Sequence, residues 1–351
     1  MDRPTLAVWC PNWVGDLVMC TPALAALRRH FASWRIVGIV RRRLAGLLEG
    51  ASWFDTTWCT EDRALWHPAW ELRRYRPRLA VLFTHSLRTA LMARLASCRR
   101  IVGYRRDGRA CLLTDRLDFR RDAKGKRLPS PVIDDYNRLA QYLGCPWPGY
   151  RMILYTTALH KAEAHKLWDS WRWPPDAPVV GFNPHAAYGP AKKWPLEYFV
   201  QLAQLLLQDP ALRILVLCGP GEEAESQKLV HCLRSSRVQS LAGATLSLGL
   251  TKACIERLTL LITTDSGPRH IAACFDRPVI TLFGPTHKDW TETYYPKAVH
   301  LQREVPCGPC QLRRCPLDHA CMRMLTPDQV YSVARAILDR ASTPREVGYA
   351  A

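Results

Sequence analysis

Short runs of apolar residues alternate along the chain with stretches in which apolar positions recur every three or four residues. Runs of the first kind have strand length, and stretches of the second kind have helical period. Thr5–Cys10, Arg35–Val40, Leu79–Thr84 and Ile101–Tyr104 read as buried strands, with Pro22–Phe31, Ser86–Ser97 and Pro131–Leu143 as helices among them. Thr21 is the expected cap of the first helix, with Pro22 at its first position, and Gly144 stops the third. A second series follows Pro178. Its strands are Val179–Asn183, Leu212–Cys218, Val238–Ala242, Leu258–Thr264 and Pro278–Phe283. Its helices are Leu196–Gln208, Glu222–Leu233, Leu246–Arg257 and Pro268–Phe275. Strand–helix alternation predicts a parallel sheet with helices on both faces. Two such series predict an α/β protein of two doubly wound, Rossmann-like domains, 1–155 and 178–325. A linker, 156–177, holds a helix over Lys161–Trp171, and a last segment, 326–351, holds a helix over Thr326–Ala341. Residues 105–130, crowded with Arg and Lys, read as a solvated loop. No sequence repeat relates the two series.

Composition narrows the picture. Hydrophobic residues make up 48% of the 351, too many for a disordered chain. The net charge of +18 is uneven: residues 1–150 carry 26 basic against 13 acidic side chains, and the remainder carry 23 against 18. A large anionic partner is therefore expected on the first half. The longest apolar runs, such as Leu79–Phe83 and Leu258–Ile262, fall far short of the ~18 residues of a membrane span. Thr5–Cys10 leads straight into Pro11 and Asn12 without a signal-peptide pattern, so a cytoplasmic protein is expected, with most of its 14 cysteines as reduced thiols.

In open α/β sheets ligands sit beyond the carboxyl ends of the strands, and two such sheets facing one another make a cleft. Four strand-end motifs are therefore the candidates for chemistry. Asn12-Trp13-Val14-Gly15-Asp16 places a carboxylate at a helix start; it reads either as a capping aspartate or as a base for a substrate hydroxyl. Tyr188-Gly189-Pro190-Ala191-Lys192-Lys193-Trp194-Pro195 is a loop of small residues with a lysine pair, either solvated or aimed at phosphate. Gly219-Pro220-Gly221-Glu222-Glu223 puts glutamates at a helix start, where the macrodipole alone accounts for them and where a ribose could also be held. Asp265-Ser266-Gly267-Pro268-Arg269-His270 is a ready anion site at a helix N-terminus, and Gly284-Pro285-Thr286 ends the next strand. Cys307, Cys310, Cys315 and Cys321 enclose His319; a structural zinc, packed reduced thiols and a redox disulfide all fit a spacing unlike a common zinc ribbon.

In this order, Trp13-Val14-Gly15-Asp16 with Met19 and Pro22, Tyr188 to Pro195, Asp265 to His270 and Gly284 to Thr286 resemble glycosyltransferase family 9, the heptosyltransferases of lipopolysaccharide core assembly. The resemblance runs from residue 5 to about 340, and its Tyr188–Pro195 stretch looks most like the members that add the second inner-core heptose. It implies a GT-B fold whose last helix packs back on the N-terminal domain. It also implies ADP-heptose as donor, an anionic glycolipid as acceptor at the cytoplasmic face of the inner membrane, and inverting transfer with no metal or other cofactor. By position in the motifs, it makes Asp16 the general base. Lys192, Glu222 (with Glu223 as rival), Asp265, Ser266, Gly267, His270 and Thr286 then meet the donor. Asn12, Trp13, Arg41 and Arg105 are left as acceptor or phosphate contacts. The physics agrees. A hydroxyl nucleophile needs a base, and a nucleoside-diphosphate leaving group needs fixed positive charge, here from Lys192 and helix starts near 190 and 267. The rival readings are transfer of another sugar to another anionic glycolipid, a nucleotide-sugar 2-epimerase, a degenerate scaffold and a basic nucleic-acid-binding protein. The last would interleave basic and aromatic residues in a known module, and no such pattern is present.

Overall fold

The computed structural model describes residues 3–61, 66–125 and 127–342. The chain divides into two compact units, one of Met1–Tyr155 with Asp289–Tyr295, the other of Thr156–Lys288 with Pro296–Ala351.

The first unit is built on six parallel strands: β1 (Thr5–Trp9), β2 (Arg35–Arg41), β3 (Thr56–Thr60), β4 (Leu79–Leu82), β5 (Arg100–Tyr104) and β6 (Asp115–Leu117). Their order across the sheet is β3-β2-β1-β4-β5-β6. Every residue of β1 and β4 is buried, because both faces of a doubly wound sheet are covered by helices. The register is continuous, with Leu6 opposite Ile36 on one side and Leu79 on the other. The edge strands β3 and β6 are only partly buried, which is why no apolar run announces them. Helices Trp66–Arg74 and Leu87–Leu95 lie side by side on one face of this sheet, sinking Leu72, Ala90 and Ala93 into the same apolar cluster as Trp9 and Val37. Their outward stripes carry Trp70, Arg73 and Arg74 on the first helix and Leu87, Leu91 and Arg94 on the second. Trp70 is 70% exposed.

The second unit repeats the plan with β7 (Val179–Asn183), β8 (Arg213–Val216), β9 (Val238–Ser240), β10 (Leu260–Thr264), β11 (Val279–Phe283) and β12 (Ala298–Gln302). The order β12-β11-β10-β7-β8-β9 is the first order read from the other edge, so both units share the strand sequence of a dinucleotide-binding fold. In each unit the strand order reverses at one crevice, between β1 and β4 and between β7 and β10.

Four expectations need correction. The linker is part of the second unit: helix Ala158–Ser170 starts at a capping box, in which Thr157 accepts from the His160 N–H and His160 Nδ1 accepts from the Thr157 N–H. The last helix, Pro327–Ser342, belongs to the second unit instead of forming a segment apart from it. Its Val330, Ala334 and Leu338 enter the core of the second unit beside Phe199 and Leu202, since an amphipathic stripe is stabilised wherever it finds apolar cover. Residues 343–351 of the expected last segment lie outside the described residues. The basic stretch 105–130 is not simply a solvated loop, because it supplies β6 and a fully buried Arg109. That guanidinium ties the ends of β4 and β5 together, donating to Thr84 O (2.7 Å) and Tyr104 O (2.9 Å). Finally, Thr21 does not cap its helix: Cys20 holds that position, and the Thr21 hydroxyl donates to Val18 O. No described helix is long and apolar enough to cross a membrane.

Candidate active site

In the first unit the loop after β1 turns at Asn12 and Trp13 into a short helix, Val14–Met19. Gly15 and Asp16 are inside its first turn rather than ahead of it. Asp16 is half-buried, and its charge is felt by two neighbours. Burial and then Asp16 raise the Tyr136 hydroxyl above its usual range; burial, Cys10 and Asp16 do the same for the Cys20 thiol. Asn12 Oδ1 accepts from Arg41 Nε at 3.1 Å, and its carbonyl accepts from Arg43 at 2.9 Å. The Arg43 guanidinium lies 5.7 Å from the Trp13 ring centroid. Asn12, Trp13 and Arg41 thus form one cluster beyond the ends of β1 and β2. Arg105 does not join them: it is exposed and bonds Asp118 at 2.9 Å.

The second unit gathers most of the expected donor residues around the β7–β10 crevice. Asn183, the last residue of β7, donates from Nδ2 to Thr263 Oγ1 (3.0 Å) and Ser266 Oγ (2.8 Å), so the turn leaving β10 is pinned to β7. This holds Asp265 at the start of helix Gly267–Cys274. Asp265 Oδ2 accepts from Lys192 Nζ at 2.5 Å and from Thr286 Oγ1 at 2.9 Å, and Oδ1 accepts from Arg269 at 3.1 Å. All four side chains are buried. Burial alone would raise the Asp265 carboxyl, but Lys192 and Arg269 overcome it and hold the group well below the carboxylate range. The carboxylate therefore stays charged and fixes two cations at the carboxyl ends of the strands. Arg269 can only donate, so Nε2 of His300, 3.1 Å away, accepts from it. Burial, then Arg269, push the His270 imidazolium far down, which makes His270 a neutral side chain at pH 7.

Lys192 approaches from a loop that has no helix start. The expected helix near 190 is a three-residue 3-10 turn, Pro190–Lys192, too short to carry a useful dipole. What fixes the loop is the cysteine-rich segment. Ala191 N donates to Arg313 O (3.1 Å), His319 Nε2 donates to Ala191 O (2.7 Å), and Tyr188 Oη donates to Gln311 O (2.5 Å). The same segment reaches the β11 turn through Gln311 N and Pro285 O (2.8 Å). Cys321 is buried, and its thiol is pushed up to about 11 by burial and then by Cys315, Cys307 and Cys310, so the four sulfurs share a neighbourhood. All four are free thiols, and among the described residues no three or more His, Cys, Asp or Glu side chains are arranged to hold a metal ion.

Glu222 bends back to its own loop, accepting from Gly219 N at 2.8 Å, with Glu223 as the first helical residue beside it. The sequence reading gave no role to Glu225, which pairs with Lys193 and with His185 Nδ1 (3.2 Å), while His185 Nε2 meets Ser226 Oγ at 2.7 Å. Asn183, His185 and Arg269 were also passed over. Arg269 carried a signal in its four-residue spacing from Asp265, which stands just ahead of the helix that bears Arg269.

Relatives share this plan. The model for "Glycosyltransferase family 9 (heptosyltransferase)" matches residues 66–321. Lipopolysaccharide heptosyltransferase 2 of Salmonella typhimurium is 26% identical over 309 residues, 82% of this chain and 85% of that protein. Lipooligosaccharide heptosyltransferase 2 of Campylobacter jejuni is 32% identical over 166 residues, 46% of this chain and about half (51%) of its own length. The structure of the ADP-heptose lps heptosyltransferase II of E. coli superposes with a TM-score of 0.77 at 22% identity, covering 97% of this chain and 100% of that one. With the family match spanning most of the chain and the two-sheet plan shared end to end, this chain belongs to glycosyltransferase family 9 and is a glycosyltransferase of the GT-B fold.

Proposed function

We propose that the chain transfers a heptosyl group from ADP-heptose to the inner core of lipopolysaccharide, as a heptosyltransferase of the second type. The observation that carries this reading is the Lys192–Asp265–Arg269 cluster at the β7–β10 crevice, where a doubly wound sheet takes its nucleotide. Asp265 positions the two cations. Lys192 and Arg269, with the N-terminus of helix Gly267–Cys274, then face the charge that grows on the departing ADP. Ser266 and Gly267 offer a hydroxyl and N–H groups at that helix end, and Thr286 steadies Asp265. Glu222 is the candidate for the adenosine ribose. Asp16, in the first unit, removes the proton from the acceptor hydroxyl as the new glycosidic bond forms and the bond to ADP breaks, with inversion at the anomeric carbon. General-base help of this kind contributes typically ~10²–10⁴-fold. Positive side chains supply the leaving-group stabilisation that a divalent cation supplies elsewhere, so no metal is required.

The acceptor is an anionic glycolipid, and the first unit is the strongly basic one. Its two outward helix stripes, Trp70 with Arg73 and Arg74, and Leu87 and Leu91 with Arg94, combine exposed apolar rings and chains with cations. That composition suits peripheral attachment to an anionic leaflet, worth roughly 1 kcal/mol per basic residue near the surface. The enzyme then works from the cytoplasm, with no nucleic-acid partner. Incubation with ADP-heptose and defined truncated core acceptors, read by mass spectrometry, tests the reading. One added heptose on the mono-heptosylated acceptor supports it, and transfer of another sugar, or none, refutes it.

A further inference from the structure

The cysteine-rich segment braces the Lys192 loop, and it also brings a cation of its own to that loop. The Arg313 guanidinium lies 5.4 Å from the centroid of the Tyr188 ring. The Lys192 ammonium lies 4.8 Å from the centroid of the same ring. One half-buried ring thus serves two cations, and one of them is the lysine that Asp265 holds at the β7–β10 crevice. The arrangement is fixed at both ends. Tyr188 Oη donates to Gln311 O at 2.5 Å, and Ala191 N donates to Arg313 O at 3.1 Å, so ring, lysine and arginine keep their spacing. An aromatic face attracts a cation, but two cations at one ring still repel each other, and the ring offsets only part of that repulsion.

The cations differ in what else they meet. Lys192 and Arg269 are both bonded to Asp265. Arg313 is exposed, and among the described residues its guanidinium meets no carboxylate and no hydrogen-bond acceptor. Lys192, Arg269 and Arg313 set against the single carboxylate of Asp265 leave a surplus of positive charge at the crevice. A guanidinium presents paired N–H donors that match phosphate oxygens, whereas an ammonium acts as a point charge. A diphosphate satisfies both, with one set of oxygens toward Lys192 and another toward Arg313.

We propose that Arg313 makes a further cationic contact to the diphosphate of the donor, and that Tyr188 is the positioning residue that spaces it from Lys192. The proposal rests on the transferase reading for the donor, and on the shared ring for the site. The cysteine-rich segment then forms part of the donor site as well as its support.

The test uses the full-length protein, with ADP and adenosine as probes in an NMR titration that reads weak as well as tight binding. Arg313→Gln is expected to weaken ADP about tenfold and to leave adenosine within about twofold. Arg313→Lys, which keeps the charge without the paired donors, should recover part of that loss. Tyr188→Leu removes the ring and should weaken ADP at least as much as Arg313→Gln does. Adding Arg313→Gln to Tyr188→Leu should then cost less than it costs in the wild type, because the arginine has already lost its platform. Arg313→Gln should melt within ~2 °C of the wild type, since the side chain is exposed. Equal losses for ADP and adenosine, or no loss for ADP, would overturn the assignment. Fully additive losses would overturn the role of Tyr188. A wild type that binds neither ADP, GDP nor UDP would overturn the site. ADP binding that depends on Arg313, with no heptose transferred from ADP-heptose, supports the site and sinks the heptosyltransferase reading instead. A preference for GDP or UDP with the same dependence on Arg313 supports the site and overturns ADP as its nucleotide.

Discussion

Gly189→Ala tests whether the cysteine-rich segment sets the position of Lys192. A β-carbon at 189 would stand 2.5 Å from Arg313 O and 3.0 Å from Arg313 Cβ, at a φ of +154°. Ordinary carbon–oxygen contact is near ~3.3 Å, so the loop or the segment must retreat by about 0.8 Å. The Ala191 N–H bond to Arg313 O, now 3.1 Å, would then approach ~4 Å and be lost. Overpacking of this kind costs roughly 1–3 kcal/mol, and the clash is with backbone, which cannot swing aside. Lys192 is the residue after Ala191, so the same shift carries its ammonium off Asp265. Displacement of about 1 Å at a group that stabilises the transition state can cost ~10²-fold. We expect unfolding to begin a few degrees earlier, ADP affinity to weaken severalfold and kcat to fall by roughly 10–100-fold. The assay is a thermal melt, ADP calorimetry and initial rates on one preparation. If melting is lowered while ADP affinity and kcat stay within twofold of wild type, the segment is merely structural and the positioning argument fails.

Asp16→Asn should reduce transfer by at least ~10²-fold while ADP binding is retained, and near-normal turnover would remove Asp16 as the base. Lys192→Ala should weaken ADP binding and kcat far more than acceptor KM, and equal losses in all three would contradict its place at the leaving group. Asp265→Asn leaves buried Lys192 and Arg269 without their carboxylate, at a cost of roughly 3–5 kcal/mol at pH 7 by urea unfolding. Because the folded Asp265 carboxyl is depressed, its stabilisation is complete above the ordinary carboxyl value of 3.8 and declines as pH falls below it. The gap between wild type and Asp265→Asn should therefore narrow from about pH 4 downward, and a gap independent of pH would refute the charge argument. Activity should survive EDTA; a strict requirement for Mg²⁺ would overturn the metal-independent mechanism.

The central strands were legible because strands covered on both faces leave unbroken apolar runs, as in Leu79–Leu82 and Leu260–Thr264. The edge strands Thr56–Thr60, Asp115–Leu117 and Ala298–Gln302 were not, because a half-wet strand leaves no such run. The motifs do fall at strand ends, yet they paired each residue with a substrate rather than with its neighbours. That Lys192 and Asp265, 73 positions apart, meet each other is a fact of tertiary structure, as is the burial of Arg109 in a stretch whose composition reads as surface. The last helix shows the same limit: an amphipathic stripe states that it will be covered, not by what.

The seven residues Asp289–Tyr295 belong to the first unit although both flanks belong to the second. The Trp290 ring centroid lies 4.6 Å from the Arg127 guanidinium, which is also 3.7 Å from the Phe119 ring centroid, and the Tyr294 and Tyr150 rings are 4.3 Å apart. The polypeptide therefore passes between the units three times, and no single scission separates them. Cutting at Tyr155–Thr156 would leave the amino-terminal fragment without the ring that covers Arg127. The carboxyl-terminal fragment would carry Trp290 and Tyr294 uncovered, so the two pieces should complement one another in a mixture better than either behaves alone.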